Sequence, residues 1–277
     1  MLIFYYFCNM KKLLILSAVA LFLFACSEEK GKPVHIAGLR FDTLTIDTSA
    51  VLLGDTVSPT CSVSIALQVA RGKGAEAINR AILNSGILLP GYVNTDSVAL
   101  TPEQYLDSFV CRYIGQYKRD YAPLYLDDTE NADSYENSFT LKTSTMTACE
   151  GIIAYVADID FFGGGTHNTR QTVVRNIEVR TGKVLTLTDI FRHGYEQTLQ
   201  QELLKKLCRK FHAADADGLA RKQVLVDGNI YIPDNFILFK KKIQFIYNPA
   251  EIAPYDMGEI RLDIDKSSLK GLLQETF

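Results

Sequence analysis

The sequence has few of the residues that carry metal, redox or acyl-transfer chemistry, and none stands at the spacing that such a site needs. Its six cysteines include no Cys-x-x-Cys pair, which argues against a zinc site and against a thioredoxin-like redox site. Its four histidines never lie four residues apart, and no His-Glu-x-x-His or Gly-x-Ser-x-Gly motif is present. We therefore predict no catalytic residue, no metal ion and no cofactor, and we interpret the protein as a non-enzyme.

Phosphate-binding and calcium-binding loops are also missing. The glycine run at 163–165 lacks the Gly-Lys-Ser/Thr ending of a P-loop, and no helical pattern follows it. The Asp-Ala-Asp-Gly segment at 215–218 resembles the start of an EF-hand, but Val224 stands where the calcium loop needs a glutamate. Neither segment is therefore predicted as a phosphate or calcium site.

The chain has no excess of basic residues, since 29 lysines and arginines oppose 32 aspartates and glutamates. Residues 1–25 carry two lysines and no acid, so the chain without them has 27 basic and 32 acidic residues and a formal charge of −5. A nucleic acid is not a predicted partner, because neutralising its phosphates requires a basic face. A cationic protein partner is compatible with this charge.

No long apolar run suggests a membrane-spanning helix. The run at residues 13–25, apolar apart from one serine, has 13 residues, whereas a spanning helix needs about 20. It follows two lysines and ends in Leu-Phe-Ala before Cys26, which is the plan of a secretory signal and resembles the lipobox of bacterial lipoproteins. We predict residues 1–25 as a signal peptide, with translation starting at Met10, because Met-Lys-Lys is the usual opening of such a signal.

Lipidation of Cys26 would attach the protein to a lipid bilayer through acyl chains. Residues 26–38 then form a short polar tether before the first strand. Ser27, Glu28 and Glu29 resemble the signals that send some Gram-negative lipoproteins to the cell surface. The predicted location is the bacterial outer membrane, on the cell surface or on the periplasmic face.

Four cysteines remain outside the signal and its cleavage site: Cys61, Cys111, Cys149 and Cys208. Disulfides are permitted outside the cytoplasm, and four cysteines allow three pairings between which the sequence does not choose. The alternative is that they are buried free thiols, which pack as small apolar residues.

Hydrophobic periodicity predicts strands in runs, interrupted by two or three helices. Strands are predicted near residues 39–46, 61–70, 139–147, 151–161, 172–180, 183–187, 236–239, 243–247 and 260–264. This order favours an α+β fold with mainly antiparallel sheet and two or three packed helices. We predict an N-terminal subdomain at 39–150 and a C-terminal domain at 151–277, packed together as one unit.

The helices have recognisable starts. Thr101 is a predicted N-cap, with Pro102 at the first helical position and Gln104 completing a capping box. Further helices are predicted at 75–83 and 195–211, and a short terminal helix at 268–273. The strand-to-helix junction at 185–191 is predicted to enter the core, with Thr188 or Asp189 as the capping residue.

The Gly-Gly-Gly-Thr-His-Asn segment at 163–168 interrupts the strand pattern. Glycines at such a place supply positive φ or a close approach of two backbones. The segment is either a plain connection or a loop that presents a ligand-binding side chain. Nearby, Asp158 and Asp160 share one face of a strand and could form a carboxylate pair, although exposed acids are more often simply solvated.

Three segments of the second half resemble a known domain when they are taken in order. They are the glycine segment at 163–168, Thr-Gly-Lys-Val-Leu-Thr-Leu-Thr-Asp-Ile-Phe at 181–191, and Tyr-Asn-Pro-Ala-Glu-Ile-Ala-Pro-Tyr-Asp-Met-Gly at 247–258. This order is similar to the C-terminal domain shared by the anti-sigma factor RsiV, which senses lysozyme, and the peptidoglycan deacetylase PdaC. Many bacterial lipoproteins of unknown role look similar. The likeness covers about 155–273, and residues 61–147 resemble the PdaC-type companion domain that usually precedes it.

The resemblance implies an extracytoplasmic α+β module that binds a ligand and does not catalyse a reaction. Nothing here resembles the deacetylase domain, the anti-sigma segment or the transmembrane helix of those proteins, so direct signalling to a sigma factor is not implied. The function that the resemblance implies for this protein is binding of an extracytoplasmic protein, such as a lysozyme, or of a cell-wall glycan. Two alternatives stay open: an enzyme acting on envelope carbohydrate through an unrecognised site, and a purely structural lipoprotein.

Ligand contact is predicted from two loops that interrupt strands and carry glycine. The predicted contact residues are Gly163, Gly164, Gly165, Thr166, His167, Asn168, Pro254 and Tyr255. Tyrosine is a frequent interface anchor, and proline stiffens its loop and so lowers the cost of ordering it. The alternative is that Tyr255 packs beneath its loop and His167 forms hydrogen bonds within its own turn.

Overall fold

The computed structural model describes residues 38–54, 58–88, 100–165, 167–226 and 228–277. The predicted signal peptide, Cys26, tether residues 26–37 and Thr166 lie outside these residues. The strands are β1 (Leu39–Val51), β2 (Thr60–Gly72), β3 (Asn137–Cys149), β4 (Ile152–Phe162), β5 (Thr169–Glu178), β6 (Val184–Leu185), β7 (Phe236–Leu238), β8 (Lys242–Tyr247) and β9 (Ile260–Asp265). The α-helices are α1 (Ala75–Leu83), α2 (Pro102–Asp127), α3 (Leu187–Ile190), α4 (Glu196–Lys210) and α5 (Ala216–Ala220). Short 3-10 helices lie at Thr129–Tyr135, Tyr255–Met257 and Lys266–Leu269.

These elements form the α+β fold that the sequence predicts. Six strands form a large sheet in the order β1-β2-β3-β4-β5-β6, and β7-β8-β9 form a small sheet. Among the described strands, the pairings are antiparallel except for β2 with β3, which is parallel. A parallel pair needs a long crossover connection, and the segment that contains α1 and α2 supplies it.

The first six residues of β4, from Ile152 to Ala157, are buried on both faces of the large sheet. Ile153, Tyr155 and Ala157 enter one core, whereas the alternate residues Ala154 and Val156 enter the other. A strand with apolar side chains on both faces belongs between two packed layers. The layers are α1 and α2 on one side and α4 with the small sheet on the other.

Helix α2 begins at the predicted capping box. The Gln104 N–H donates to Thr101 Oγ1 at 3.3 Å, and the Thr101 N–H donates to Gln104 Oε1 at 3.0 Å. These two bonds satisfy backbone and side-chain groups that the first helical turn leaves unpaired. Leu106 and Phe109 on the buried side of the helix then join the core above β2, β3 and β4.

The second core lies between the large sheet, α4 and the small sheet. Leu199, Leu203 and Leu207 recur at helical spacing on α4, and each is completely buried. Burial of apolar surface stabilises this packing by about 25 cal/mol per Å². Lys240 and Lys241 lie exposed at the tip of the β7–β8 hairpin.

The helix that follows β6 begins at a different residue from the one predicted. The capping residue is Thr186 rather than Thr188 or Asp189. Asp189 instead occupies the third helical position, where its carboxylate accepts from the N–H and the hydroxyl of Thr186, both at 2.9 Å. Partial burial raises the pKa of Asp189, but hydrogen bonds from Lys183 and Thr186 outweigh it and hold that pKa below its usual value. The chain turns into α3 at Leu187, so the predicted strand at 183–187 is reduced to two residues.

Part of one edge of β5 has no neighbouring strand, and asparagine side chains form hydrogen bonds with its backbone there. Within the described residues, β6 pairs with only the end of β5. Beyond it, Asn235 accepts from the Val174 N–H at 2.8 Å and donates to the Thr172 carbonyl at 2.6 Å. Asn248 accepts from the Thr172 N–H at 2.7 Å. The carboxamides thus satisfy backbone groups that an edge strand leaves open.

A third asparagine joins the two sheets in the interior. Asn176, on β5, is 1 % exposed. Its Nδ2 donates to the Phe236 carbonyl at 2.8 Å, and its Oδ1 accepts from the Leu238 N–H at 3.0 Å. The side chain therefore bridges β5 and β7, and so connects the large sheet to the small one.

The predicted boundary between residues 150 and 151 lies in the turn that joins β3 to β4. These strands pair from Ser138 opposite Phe162 to Cys149 opposite Ile152. One hydrogen-bonded sheet therefore continues across that position. Within the described part of the chain, no helix has the length and apolar content needed to cross a membrane.

The structure holds the four cysteines as free thiols rather than in disulfides. Cys61 is buried, Cys149 and Cys208 are half-buried, and Cys111 is exposed. Burial raises the pKa of Cys61 to about 12, so this thiol stays protonated and packs as a small apolar residue.

Candidate functional site

Gly164 determines the path of the predicted loop between β4 and β5. Its φ is +77°, and a Cβ at this position would lie 1.8 Å from the Ser134 carbonyl oxygen. Any other residue would need both a left-handed backbone conformation and a displacement of the 3-10 helix Thr129–Tyr135. The glycine thus allows the loop to lie directly against the segment that follows α2.

The structure brings the two predicted loops into contact. The Tyr255 hydroxyl donates to the Asn168 carbonyl at 2.5 Å. The rings of Tyr255 and His167 stack, with centroids 6.0 Å apart and planes inclined by 14°. Tyr255 does not pack beneath its loop, because 36 % of the residue is exposed. It joins one loop to the other through its hydroxyl and leaves part of its ring in solvent.

We call His167, Tyr255 and Met257 the loop face. Pro254 precedes the short 3-10 helix Tyr255–Met257, which carries two of the three side chains. His167 is exposed, and Met257 is 39 % exposed. A small cluster of exposed aromatic and apolar side chains is the kind of surface through which proteins contact partners.

The two strand carboxylates support the loop rather than forming a pair. Asp160 accepts from Asn168 Nδ2 at 2.5 Å and from Arg170 Nε at 2.9 Å. Asp158 accepts from the Thr172 hydroxyl at 3.1 Å. These bonds run from β4 to β5 and to the loop, so both carboxylates are engaged in holding local structure.

A groove of about 570 Å³ opens beside the same loop. Helix α2 contributes Tyr113, Tyr117 and Tyr121 to one wall, and β4 contributes Phe161 to the other. A Cβ at Gly163 would lie 2.9 Å from the Phe161 ring and 3.9 Å from the Tyr121 hydroxyl, so the loop borders the groove. We call this concave surface the tyrosine groove.

Polar side chains also converge on the tyrosine groove. They are Gln116, Asp120, Asn137, Thr169 and Gln171. The Tyr113 hydroxyl donates to Asn137 Oδ1 at 2.7 Å, and Gln116 Nε2 donates to the Asp120 carboxylate at 2.6 Å. Aromatic walls with a few placed polar groups are typical of small-molecule sites.

Ring contacts hold the groove tyrosines in place. The Tyr117 and Tyr121 centroids are 5.4 Å apart, and Tyr135 lies 6.3 Å from Tyr121 and 5.7 Å from Tyr125. The Tyr117 hydroxyl donates to the Tyr135 carbonyl at 3.0 Å. Rings that are ordered before binding lose little torsional freedom when a ligand arrives.

Sequence reasoning missed the tyrosine groove. Helical spacing predicts Tyr113 and Tyr117 on the buried side of the helix, which the structure confirms, but it gives Tyr121 no role. The available signal was the recurrence of tyrosine at 113, 117, 121 and 125, because a spacing of four places the rings on one stripe. Tyrosine suits a wall that is apolar on one side and wet on the other.

The Tyr117 hydroxyl of the groove is poorly suited to act as a general acid or base. Burial, with Cys61 and Glu136 nearby, raises the pKa of Tyr117 far above its usual value. A general acid or base works best when its pKa lies near the working pH. Within the ranges that the structure describes, no group of three His, Cys, Asp or Glu side chains could hold a metal ion.

Comparison with known families identifies one segment of the chain. Residues 188–267 match the model of a family described as "Protein of unknown function (DUF3298)". This part of the chain carries a DUF3298 domain. The DUF3298 match runs from α3 to the 3-10 helix after β9, so it includes the loop at 253–258 but not the loop at 163–168. It lies inside the 155–273 region on which the RsiV and PdaC resemblance is based. No curated protein matches the chain.

Two solved structures share the fold beyond the DUF3298 segment. A member of the DUF3298 family from Bacteroides fragilis NCTC 9343 is 24% identical with a TM-score of 0.77, covering 86% of this chain and 95% of that one. A DUF3298 family protein from Pseudomonas aeruginosa PAO1 is 19% identical with a TM-score of 0.55, covering 85% of this chain and 95% of that one. At these identities the likeness establishes the fold alone.

Proposed function

We propose that this protein is a lipid-anchored envelope protein whose tyrosine groove binds a cell-wall glycan without catalysing a reaction. The juxtaposition of the partly exposed rings of Tyr121 and Phe161 with Gln116 and Gln171 carries the proposal, above a floor to which the buried Tyr113 and Tyr117 contribute. A sugar ring has apolar C–H faces and several hydroxyl groups, so it needs flat aromatic surfaces and amide partners in one place. The groove volume of about 570 Å³ suits a ligand of one or a few sugar rings.

The positions of the aspartates favour a glycan-binding protein over a carbohydrate-active enzyme. Glycoside hydrolases generally use two acidic side chains on either side of the scissile bond. Among the described residues that line the tyrosine groove, Asp120 is the single acid. Asp158 and Asp160 are bonded to neighbouring strand and loop residues instead.

A protein partner is a second candidate, and the loop face favours it. Tyr255 and Met257 are each more than a third exposed, and His167 stacks beside them. Tyrosine is enriched among the residues that dominate protein interfaces. The formal charge of −5 after removal of residues 1–25 would favour a cationic partner such as a lysozyme.

Replacing Tyr121 and Gln171 together by alanine is expected to weaken glycan binding at least about tenfold, or about 1.4 kcal/mol. The double variant removes one stacking surface and one amide from opposite walls of the groove. Binding is measured on the detergent-solubilised full-length chain, by co-sedimentation with purified peptidoglycan and by calorimetry with N-acetylglucosamine oligomers. Tyr121→Phe keeps the ring and should retain most of the affinity.

Tyr231→Ala is the matched control, since Tyr231 is 41 % exposed and lies outside the groove lining. Unchanged binding in the folded double variant would move the glycan site elsewhere. Capture by immobilised lysozyme, lost on His167→Ala with Tyr255→Ala, would instead establish the protein-binding candidate.

Cys26→Ala is expected to abolish acylation and to leave an uncleaved or soluble form. The cysteine is the acceptor in the proposed lipoprotein signal, and no other residue can replace its sulfur. Metabolic labelling with a fatty-acid analogue and membrane fractionation measure the result. Cys111→Ala, at an exposed cysteine on α2, serves as the control and should keep full labelling. Unchanged labelling of Cys26→Ala would end the lipoprotein proposal.

A further inference from the structure

A second pocket, of about 730 Å³, lies beside the small sheet. It is bordered by the β7–β8 hairpin tip, the 3-10 helix Lys266–Leu269, the segment after α3 and the final residues of the chain. Five cationic side chains line it: Arg192, Lys240, Lys241, Lys266 and Lys270. We call it the basic pocket.

The basic pocket has more cationic than acidic side chains, and each acidic side chain lies within 4 Å of a basic one. Asp265 and Glu275 are the two acidic side chains among the described lining residues. Glu275 lies 3.6 Å from Arg192 Nη2, and Asp265 lies 3.8 Å from the Nζ of Lys206, which is outside the lining. A positive surface is thus concentrated in one concavity of a chain whose formal net charge is −3.

Four lysines of the pocket have no carboxylate partner among the described residues. They are Lys240, Lys241, Lys266 and Lys270. Lys266 is half-buried, and its burial lowers its pKa below the usual value. A partly desolvated ammonium group without a counter-ion destabilises the folded state, and a bound anion would offset that cost.

Backbone hydrogen bonds hold the walls of the basic pocket together. The Lys266 N–H donates to the Lys241 carbonyl at 2.9 Å, which joins the 3-10 helix to the hairpin tip. The Arg192 N–H donates to the Leu272 carbonyl at 2.7 Å, and Phe191 pairs with Leu273 in an antiparallel bridge. The cationic side chains therefore project from backbone that is positioned before any ligand binds.

We propose that the basic pocket binds a phosphate group, carried either by a soluble ester or by a lipid headgroup. Several ammonium groups act as point charges on the phosphate oxygens, and Arg192 adds a planar guanidinium fork. Ser267 supplies a hydroxyl, while Leu273 and Phe277 supply apolar surface for the organic part of the ligand. The proposal does not depend on glycan binding, because no residue lines both the basic pocket and the tyrosine groove.

The test is calorimetry of the full-length chain in detergent with four probes. Inorganic phosphate, glycerol 3-phosphate and dihexanoyl phosphatidic acid offer a phosphate with net negative charge. Dihexanoyl phosphatidylcholine, whose phosphodiester is neutralised by its own choline, controls for partition into detergent. We expect the phosphate probes to bind, and to bind more weakly as salt is raised. Phosphatidic acid binding at least about tenfold tighter than glycerol 3-phosphate assigns a lipid headgroup, and equal affinities assign a soluble ester.

Two variants locate the binding in the basic pocket. Lys266→Met with Lys241→Gln should reduce the affinity for the bound probes at least about tenfold. If that protein does not fold, Lys240→Gln with Lys241→Gln replaces two exposed lysines at the hairpin tip and should give a similar loss. Lys205→Gln, on the exposed surface of α4, should leave affinity unchanged. Absence of heat with every phosphate probe, or unaltered affinity in the folded pocket variants, would overturn the proposal.

Discussion

Replacing Phe191 by alanine is expected to lower the free energy of unfolding by about 3–5 kcal/mol, the range for deleting a buried phenyl ring. Phe191 is 1 % exposed, and its ring stacks on Tyr195 with centroids 4.8 Å apart. It lies in the core that α4, the small sheet and one face of the large sheet enclose. The cavity would not close without movement of several elements. Urea denaturation followed by circular dichroism measures the loss.

Phe161→Ala is the matched control for that measurement. Phe161 is 36 % exposed, so the same substitution removes less buried surface and should cost less than half as much. Equal losses for the two variants would contradict the placement of Phe191 in the core. Binding of a glycan should change only in the Phe161 variant, because Phe161 lines the tyrosine groove and Phe191 does not.

Replacing Asn176 by alanine is expected to lower the free energy of unfolding by about 2–4 kcal/mol, because two buried backbone groups lose their partner. The carboxamide of Asn176 bonds to the Phe236 carbonyl and the Leu238 N–H, and the residue is 1 % exposed. The free energy of unfolding is obtained from the same denaturation experiment.

Asn131→Ala serves as the control for the asparagine variant. Asn131 is exposed and bonds to Asp128, the residue just before its short 3-10 helix, so its replacement should lower the free energy of unfolding by no more than about 0.5 kcal/mol. Hydrogen exchange adds a local readout, since amides of β7 should lose protection in Asn176→Ala. A stable variant with protected β7 amides would show that Asn176 does not connect the sheets energetically.

Local signals located most elements because they act between residues a few positions apart. Helix α1 has the predicted bounds, and α2 begins at the capping box of Thr101 and Gln104. Strand β2 alternates as predicted, with Val63, Ile65 and the later odd-numbered residues buried. Backbone capping and side-chain alternation depend on neighbouring residues alone, so a single sequence reveals them.

Details that depend on distant packing were predicted less well. Asn235 and Asn248, which pair with the edge of β5, resemble turn residues in the sequence, and their partners lie 61 and 76 positions away. The β5 edge that they satisfy exists only once the sheets are assembled.

The sequence by itself determined the α+β class and the two glycine-containing loops, since hydrophobic periodicity and turn residues act locally. Only the tertiary structure brought Tyr255 to Asn168, 87 positions earlier, and placed Tyr121 opposite Phe161 in one groove. It also collected lysines from β7–β8 and from the segment after β9 around one pocket. The physical reason is that periodicity marks which face of an element is apolar but not which element covers it.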